Sequence, residues 1–394
     1  MRSMAAESPT GAISPISRVL MTADTIGGVW THALELASAL GQRGVRVALA
    51  TMGAPPSDLQ RAQVAALRTV SLHDGGYQLE WMAEPWRDVR AAGEWLLELE
   101  RQVQPDLVHL NQFAFGALPF IAPTLLVAHS CVLSWWRAVH GMAAPADWSR
   151  YRQAVSQGLA GADLVAAPTQ AMLASLAENY GHARQGVVLP NGRSAAAYAP
   201  GRKAPFILSA GRLWDAAKNL SALEAVAPRL GWPVRVAGSN ADPAGGVREP
   251  RGVTALGELA PEALAAQFAS ASIYALPARY EPFGQTALEA ALSGCALVLG
   301  DVPSLREVWG SAAMYVPPDD HEALHGALRR LIAGKSLRER QARKARARAL
   351  QFGTEAMVDA YLGAYGRVLQ SQGGPGARSP HPLIVLPKET VCAS

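Results

Sequence analysis

Apolar residues fall into short unbroken runs, separated by longer stretches in which apolar and polar positions alternate with helical spacing. The first half carries RVLMTAD (18–24), VRVALATM (45–52), DLVHL (106–110), TLLVAHS (124–130) and LVAAPT (164–169). The second half carries FILSAGR (206–212), PVRVAGS (233–239), IYALPAR (273–279), ALVLGDV (296–302) and AMYVPP (313–318). A run that is apolar on both of its alternating faces predicts a parallel strand covered by helices on either side, and spacers such as THALELASALGQRG suit crossover helices. The rhythm pauses once, at LPNGRSAAAYAPGRKAP (189–205), where Pro, Gly and Ala accumulate around an Asn191-Gly192 turn. The pattern therefore predicts an α/β chain of two doubly wound, Rossmann-like domains, 18–195 and 203–353. Residues 354–370, TEAMVDAYLGAYGRVLQ, predict one further amphipathic helix; 1–17 and 371–394 read as a flexible leader and a flexible tail.

Composition narrows the class. At 394 residues, 49% hydrophobic and 17% charged, the chain is long enough for two cores, and it has no apolar stretch near the ~20 residues that a membrane span requires. The small, polar first residues lack the apolar centre of a secretory signal. Cys131, Cys295 and Cys392 have no metal-type spacing, and the expected compartment is the cytoplasm. The formal charge of +4 comes largely from one stretch, with nine Lys or Arg between Arg329 and Arg348 against one Glu. A solvated helical face explains such a run; so does peripheral contact with an anionic membrane at its inner face. No aromatic residues interleave with the charges, so nucleic acid is not an expected partner.

Open α/β sheets bind ligands beyond the carboxyl ends of their strands, which makes polar residues at those ends the candidates for chemistry. Gly27 and Gly28 follow a strand and open a helix, where backbone amides approach an anion; a plain tight turn explains them too. His129 comes directly after the apolar part of TLLVAHS, where it would face the cleft, with Trp135 and Trp136 close behind as a wall for a sugar ring or an apolar acceptor, or as core. Arg212 and Lys218 flank one strand-to-helix loop, where an arginine fork and a mobile ammonium suit a diphosphate, or simply surface ion pairs. In RYEPFGQTALEA (279–290), Pro282 holds Glu281 extended and Gly284 permits close backbone approach. Amides at Phe283, Gly284 and Gln285 then open a helix that carries Glu289.

These four stretches in this order resemble glycosyltransferase family 4, with the GT-B fold of two Rossmann-like domains facing each other across a cleft. EPFGQTALEA resembles the family's E-x7-E motif, GRLWDAAKN its Arg-to-Lys donor clamp, PNG its interdomain segment and GGV its first glycine loop. The resemblance implies that Glu281 bonds the transferred sugar and Glu289 the nucleotide ribose. It implies too that Arg212 and Lys218 neutralise the diphosphate, and that His129 lies near the anomeric centre. Gly27, Gly28, Phe283, Gly284, Gln285 and Thr286 complete the implied donor-binding set. The implied reaction is retaining hexosyl transfer from a nucleoside diphosphate sugar, UDP favoured over GDP, to an unidentified hydroxyl acceptor such as a glycan or lipid-linked sugar, as in polysaccharide biosynthesis. No D-x-D occurs in the chain, so neither a metal nor another cofactor is expected. A catalytically inactive partner or scaffold protein of the same fold is the alternative. One departure stands out: after PNG the family often has an aliphatic residue and Asp, whereas here Arg193 and Ser194 follow.

Overall fold

Each unbroken apolar run becomes a strand because both of its faces are covered by helices, and the polar punctuation between runs becomes the loops that reach the cleft. The computed structural model describes residues 16–181, 186–242 and 245–372. The expected leader and tail therefore lie almost wholly outside the described residues.

The first domain begins β1 (Arg18–Asp24), α1 (Gly28–Gln42), β2 (Arg46–Met52), α2 (Asp58–Ala65), β3 (Val70–Asp74), α3 (Trp86–Val103) and β4 (Leu107–Leu110). It continues β5 (Thr124–Val127), α4 (Val132–His140), α5 (Ser149–Gly161), β6 (Leu164–Ala167), α6 (Gln170–Tyr180) and β7 (Val187–Val188). The second runs β8 (Ala204–Ala210), α7 (Leu220–Val226), β9 (Val234–Ala237), β10 (Thr254–Gly257), α8 (Pro261–Ser270), β11 (Ala271–Leu276) and α9 (Gln285–Leu292). It ends β12 (Ala296–Gly300), α10 (Pro303–Trp309), β13 (Met314–Val316), α11 (His321–Ala333) and α12 (Lys335–Ala349), before a final helix α13 (Thr354–Gln372).

Both sheets are parallel, in the orders β3-β2-β1-β4-β5-β6-β7 and β10-β9-β8-β11-β12-β13. This is the expected pair of Rossmann-like lobes in a GT-B arrangement. In each sheet the strand order reverses once, between β1 and β4 and between β8 and β11, and such switch points leave a crevice at the strands' carboxyl ends. Apolar clusters pack on both faces of each sheet.

Helix α13 belongs to the first domain's core although it follows the second domain in sequence. Its Met357, Val358, Tyr361, Ala364, Tyr365 and Val368 are buried against α1 and the first sheet. Burying two tyrosines and several aliphatic side chains at roughly 1.5–3 kcal/mol per large residue makes this return crossing an integral wall of that core.

The lobes touch on both sides of the cleft. Glu307 of α10 accepts the Gln170 and Ala171 amides at the start of α6, at 2.7 and 2.9 Å. Thr169 Oγ1 donates to Pro282 O at 3.0 Å, and Trp135 Nε1 of α4 donates to Asp215 Oδ1 at 2.9 Å.

Candidate active site

The second-domain side is assembled from the two loops that flank its switch point. Arg212 and Lys218 come from the loop after β8, and Glu281 from the loop after β11. Lys218 Nζ lies 2.7 Å from Glu281 Oε2, with both side chains largely buried. Glu281 Oε1 accepts the Gly284 amide at 3.0 Å, while Ser304 Oγ donates to Glu281 O at 2.5 Å. The carboxylate is thus fixed beside the first turn of α9. Gly284 adopts φ +89°, a left-handed turn that a side chain would strain, and so lets the chain fold back over Glu281 into the helix. Its amide is taken by Glu281 rather than left open to a ligand. Phe283 is buried edge-on against Phe352, and Thr286 Oγ1 lies 2.6 Å from the buried Tyr274 hydroxyl.

Arg212 pairs with Asp215, Nη2 to Oδ2 at 2.8 Å. Asp215 also accepts the Ala217 amide and the Trp135 indole at 2.9 Å each. Burial works against the aspartate's charge, but Arg212, Lys218 and these donors outweigh it and hold its pKa below the ordinary value.

The first-domain glycine loop closes over this face. A Cβ at Gly27, which has φ +86°, would lie 3.4 Å from Arg212 Nη1, and one at Gly28 would lie 3.1 Å from Gln285 Oε1. The loop therefore comes within side-chain contact of Arg212 and Gln285 across the cleft, and the positive φ at Gly27 favours glycine there.

At the first-domain switch point stand Asp24, closing β1, and Asn111 and Gln112, which follow β4. Asn111 Nδ2 donates to Thr22 O at 2.6 Å, so its Oδ1 faces the histidines; it lies 2.8 Å from His129 Nε2 and 3.2 Å from His109 Nε2. Both histidines therefore carry their proton on Nε2. His109 Nδ1 accepts from the Tyr365 hydroxyl at 2.8 Å, while His129 keeps a free lone pair on Nδ1. Burial lowers the His129 pKa to about 4, and burial with the neighbouring His129 lowers that of His109 to about 3. His32, whose ring is 4.7 Å from that of His129, is shifted the same way, first by burial. All three are neutral at pH 7. The segment after His129 is tied to the second domain, because the Cys131 amide donates to the Tyr280 hydroxyl at 3.0 Å, next to Glu281.

Two carboxyl groups near this crevice are held partly protonated near neutrality. Burial raises the Asp24 pKa to about 7 against the pull of Arg212, and burial raises Glu80 likewise to about 7 although Phe113 and Ala114 amides bond it at 3.0 and 2.6 Å. Asp24 Oδ1, both amide atoms of Gln112, Arg212 Nε and Gln285 Nε2 are buried with no protein partner. This set of polar atoms has capacity for the hydroxyls and phosphates of a ligand.

The structure thus brings Gly27, Gly28, Arg212, Lys218, Glu281, Gly284 and Gln285 to one cleft. His129 stands in the adjoining histidine cluster, and Glu289 lies one turn further along α9 than Gln285. Glu289 is buried in the second turn of α9 and bonded to Arg193, Nε to Oε1 at 2.8 Å, so the carboxylate expected at the ribose already has a cationic partner. Sequence reasoning did not select Asp24, Glu80, Asn111, Gln112 or Asp215. Asp24 and Asn111 had a usable signal, since each is a polar residue at or just after the end of an apolar run. Among the described residues no group of three or more His, Cys, Asp or Glu side chains is placed to hold a metal ion.

Comparison with known proteins agrees with this geometry. Over 110 residues the chain is 33% identical to the O-antigen chain mannosyltransferase B of Escherichia coli, a match spanning 28% of this chain and 29% of that protein. It is 25% identical to the D-inositol 3-phosphate glycosyltransferase of Gordonia bronchialis, across 88% of this chain and 85% of that one. Among solved structures, sucrose-phosphate synthase of Thermosynechococcus elongatus superposes with a TM-score of 0.74 at 17% identity, over 90% of this chain and 100% of that one. Anabaena HepE, solved with UDP and glucose, gives 0.67 at 17% identity, over 89% and 99%. The model of Glycosyltransferase Family 4 matches residues 26–196 and that of Glycosyl transferases group 1 matches 204–334. With one model on each lobe and a cleft built at both switch points, the chain is a GT-B-fold glycosyltransferase related to these two families.

Proposed function

We propose that the protein moves a hexose from a nucleoside diphosphate sugar to a hydroxyl acceptor, with retention and without a metal ion. The observation that carries this reading is the convergence of Arg212, Lys218 and Glu281 at the second switch point, directly under the Gly27–Gly28 loop of the first domain. Two fixed cations and the start of α9 supply positive potential where a diphosphate leaving group gathers charge, the role a metal plays elsewhere. Glu281, held by Lys218 and the Gly284 amide, has lone pairs for sugar hydroxyls.

In this reading the acceptor oxygen bonds to the anomeric carbon on the face from which the nucleotide departs. The bond from that carbon to the phosphate oxygen breaks through an oxocarbenium-like state, and the departing phosphate takes the acceptor's proton. Neutral His129, fixed by Asn111 with a lone pair on Nδ1, accepts a hydrogen bond from a sugar or acceptor hydroxyl. The HepE complex with UDP and glucose supports UDP as the first nucleotide to try. The inositol phosphate and O-antigen relatives support polyhydroxyl acceptors.

Turnover of UDP- and GDP-sugar panels, with slow hydrolysis in place of transfer while the acceptor is unknown, tests the reading. One donor is expected to be consumed, equally with EDTA and with magnesium, and Glu281→Ala is expected to lower the rate by about 10²–10³. Absence of binding by any nucleotide would make the fold a scaffold without its chemistry.

A further inference from the structure

The chain crosses between its lobes twice, through residues 189–203 and again at 350–354, and the two crossings are joined. The Arg193 amide donates to Phe352 O at 3.0 Å, and Arg193 bridges Gly353 in parallel. From this junction the Arg193 side chain turns inward. Its Nε donates to Glu289 Oε1 at 2.8 Å, Nη2 bonds the same oxygen, and Nη1 donates to Glu35 Oε2 at 3.2 Å. Glu289 belongs to α9 of the second domain, and Glu35 to α1 of the first. The other Glu35 oxygen accepts the Ser194 amide at 3.0 Å and the Thr354 hydroxyl at 2.5 Å. One guanidinium thus ties both lobes and both crossings together.

The three side chains are 7%, 5% and 20% exposed for Arg193, Glu289 and Glu35. Burial opposes the guanidinium's charge, but Glu289, Tyr198 and Glu35 outweigh it and place its pKa above the ordinary arginine value. Two carboxylates against one cation leave a surplus negative charge, tolerable only where nearly every lone pair is used. The Arg193 guanidinium also stands over the Tyr198 ring, 5.9 Å from its centroid. A planar fork suits this geometry, with two nitrogens on one carboxylate and a third reaching another. A lysine ammonium presents one point charge and cannot span both.

We propose that Arg193 is a positioning residue that couples occupancy of the donor's ribose subsite at Glu289 to the first domain through Glu35. The proposal rests on the donor reading of α9 given above. Ribose hydroxyls that bond Glu289 compete for the carboxylate that Arg193 now holds. The guanidinium then leans on Glu35, which holds α1, Ser194 and Thr354 with it. The sequence departure after PNG acquires a function here, because an aliphatic residue at 193 could make neither ion pair. Coupling of this kind is reciprocal, so losing the Glu35 arm changes nucleotide affinity by no more than the factor by which the nucleotide stabilises the first domain through it.

Hydrogen exchange of the full chain with and without UDP, GDP or ADP, alongside calorimetry, tests the coupling in wild type, Glu35→Gln and Arg193→Lys. In wild type, the nucleotide that binds is expected to slow exchange around Glu35 and Thr354 at least threefold. Glu35→Gln, which keeps every partner's shape and loses one charge, is expected to abolish that slowing while the nucleotide Kd stays within about threefold. Arg193→Lys, which keeps the charge and the fold, is expected to lose the slowing and to weaken nucleotide binding at least fivefold. Undiminished slowing in both variants overturns the coupling and leaves the donor reading intact. Absence of nucleotide binding by wild type overturns the donor reading and the coupling with it.

Discussion

Asp24 shows how the burial of one carboxyl group bears on stability. It closes β1 at the switch point, buried enough that its pKa rises to about 7, with Oδ1 lacking a protein partner. A carboxyl whose folded pKa lies above its unfolded value near 3.8 binds more protons folded than unfolded, so its contribution to stability falls as pH rises from about 4 through 7. Asp24→Asn removes the charge without changing shape. It is therefore expected to raise the unfolding free energy by about 2–4 kcal/mol at pH 8, with the gain vanishing near pH 4, as read from urea midpoints across that range. A gain that does not depend on pH would show that burial is not what raises this group. His109 and His129 act oppositely: their folded pKa values of about 3 and 4 mean that stability present above pH 6.5 is lost as pH falls toward those values. The signal in the sequence for Asp24 was faint, one acid at the end of RVLMTAD. Arg212, Lys218 and Glu281 were easier to see because each lies in a motif next to glycine or proline. What no local pattern shows is the pairing of Arg193 with Glu289, 96 residues apart, which exists only once the two crossings meet.

At the scale of elements, the strands legible in the sequence are those buried on both faces. The edge strands β3 and β10, and the two-residue β7, escaped because their residues are mostly half-exposed or exposed and break the apolar runs that mark central strands. TLLVAHS overran for the related reason that hydrophobicity continues past the hydrogen-bonded ladder. β5 stops at Val127, and His129 belongs to the loop. The basic run forms α11 and α12, but its charges do not all face water. Arg338, Arg346 and Arg348 donate to main-chain carbonyls of Leu331, Leu292 and Val308, as cations near helix ends and loops often do. Arg329, Arg330, Lys335, Arg340, Arg343 and Lys344 are exposed. Among the described residues no helix is long and apolar enough to cross a membrane. We propose this exposed set as the surface for peripheral contact with an anionic bilayer, at ~1 kcal/mol per cation near the surface. Sedimentation with phosphatidylserine vesicles at low salt is expected to fall with added salt, and to fall several-fold in a variant with Arg340, Arg343 and Lys344 changed to Gln. Equal sedimentation of that variant would return the run to a solvated helical face.

At the scale of the whole molecule, the two lobes are held together by hydrogen bonds on several elements. The lobes meet through the Arg193 junction and through contacts from α4, α6 and the loops before them: Glu307 on the α6 amides, Trp135 on Asp215, Thr169 on Pro282 O and the Cys131 amide on Tyr280. The Trp135 bond also bears on the chemistry, because Asp215 is the carboxylate that holds Arg212. An indole from the first-domain lobe therefore links closure directly to Arg212, the cation that the proposed reaction assigns to the leaving group. Trp135→Phe keeps the ring and deletes one hydrogen bond, a change worth about 1 kcal/mol, enough to shift a closed-to-open ratio roughly fivefold. If closure assembles the site, the variant is expected to scatter X-rays with a larger radius of gyration without nucleotide, to regain the compact form when nucleotide saturates it, and to show a several-fold higher donor KM at little cost in kcat. The split matters, since a mutation that merely loosened α4 would lower kcat and leave the scattering alone. Unchanged scattering would place the closure energy in the remaining contacts between the lobes, at Glu307, Thr169, Cys131 and the Arg193 junction, so that no single indole sets when the two switch points face each other.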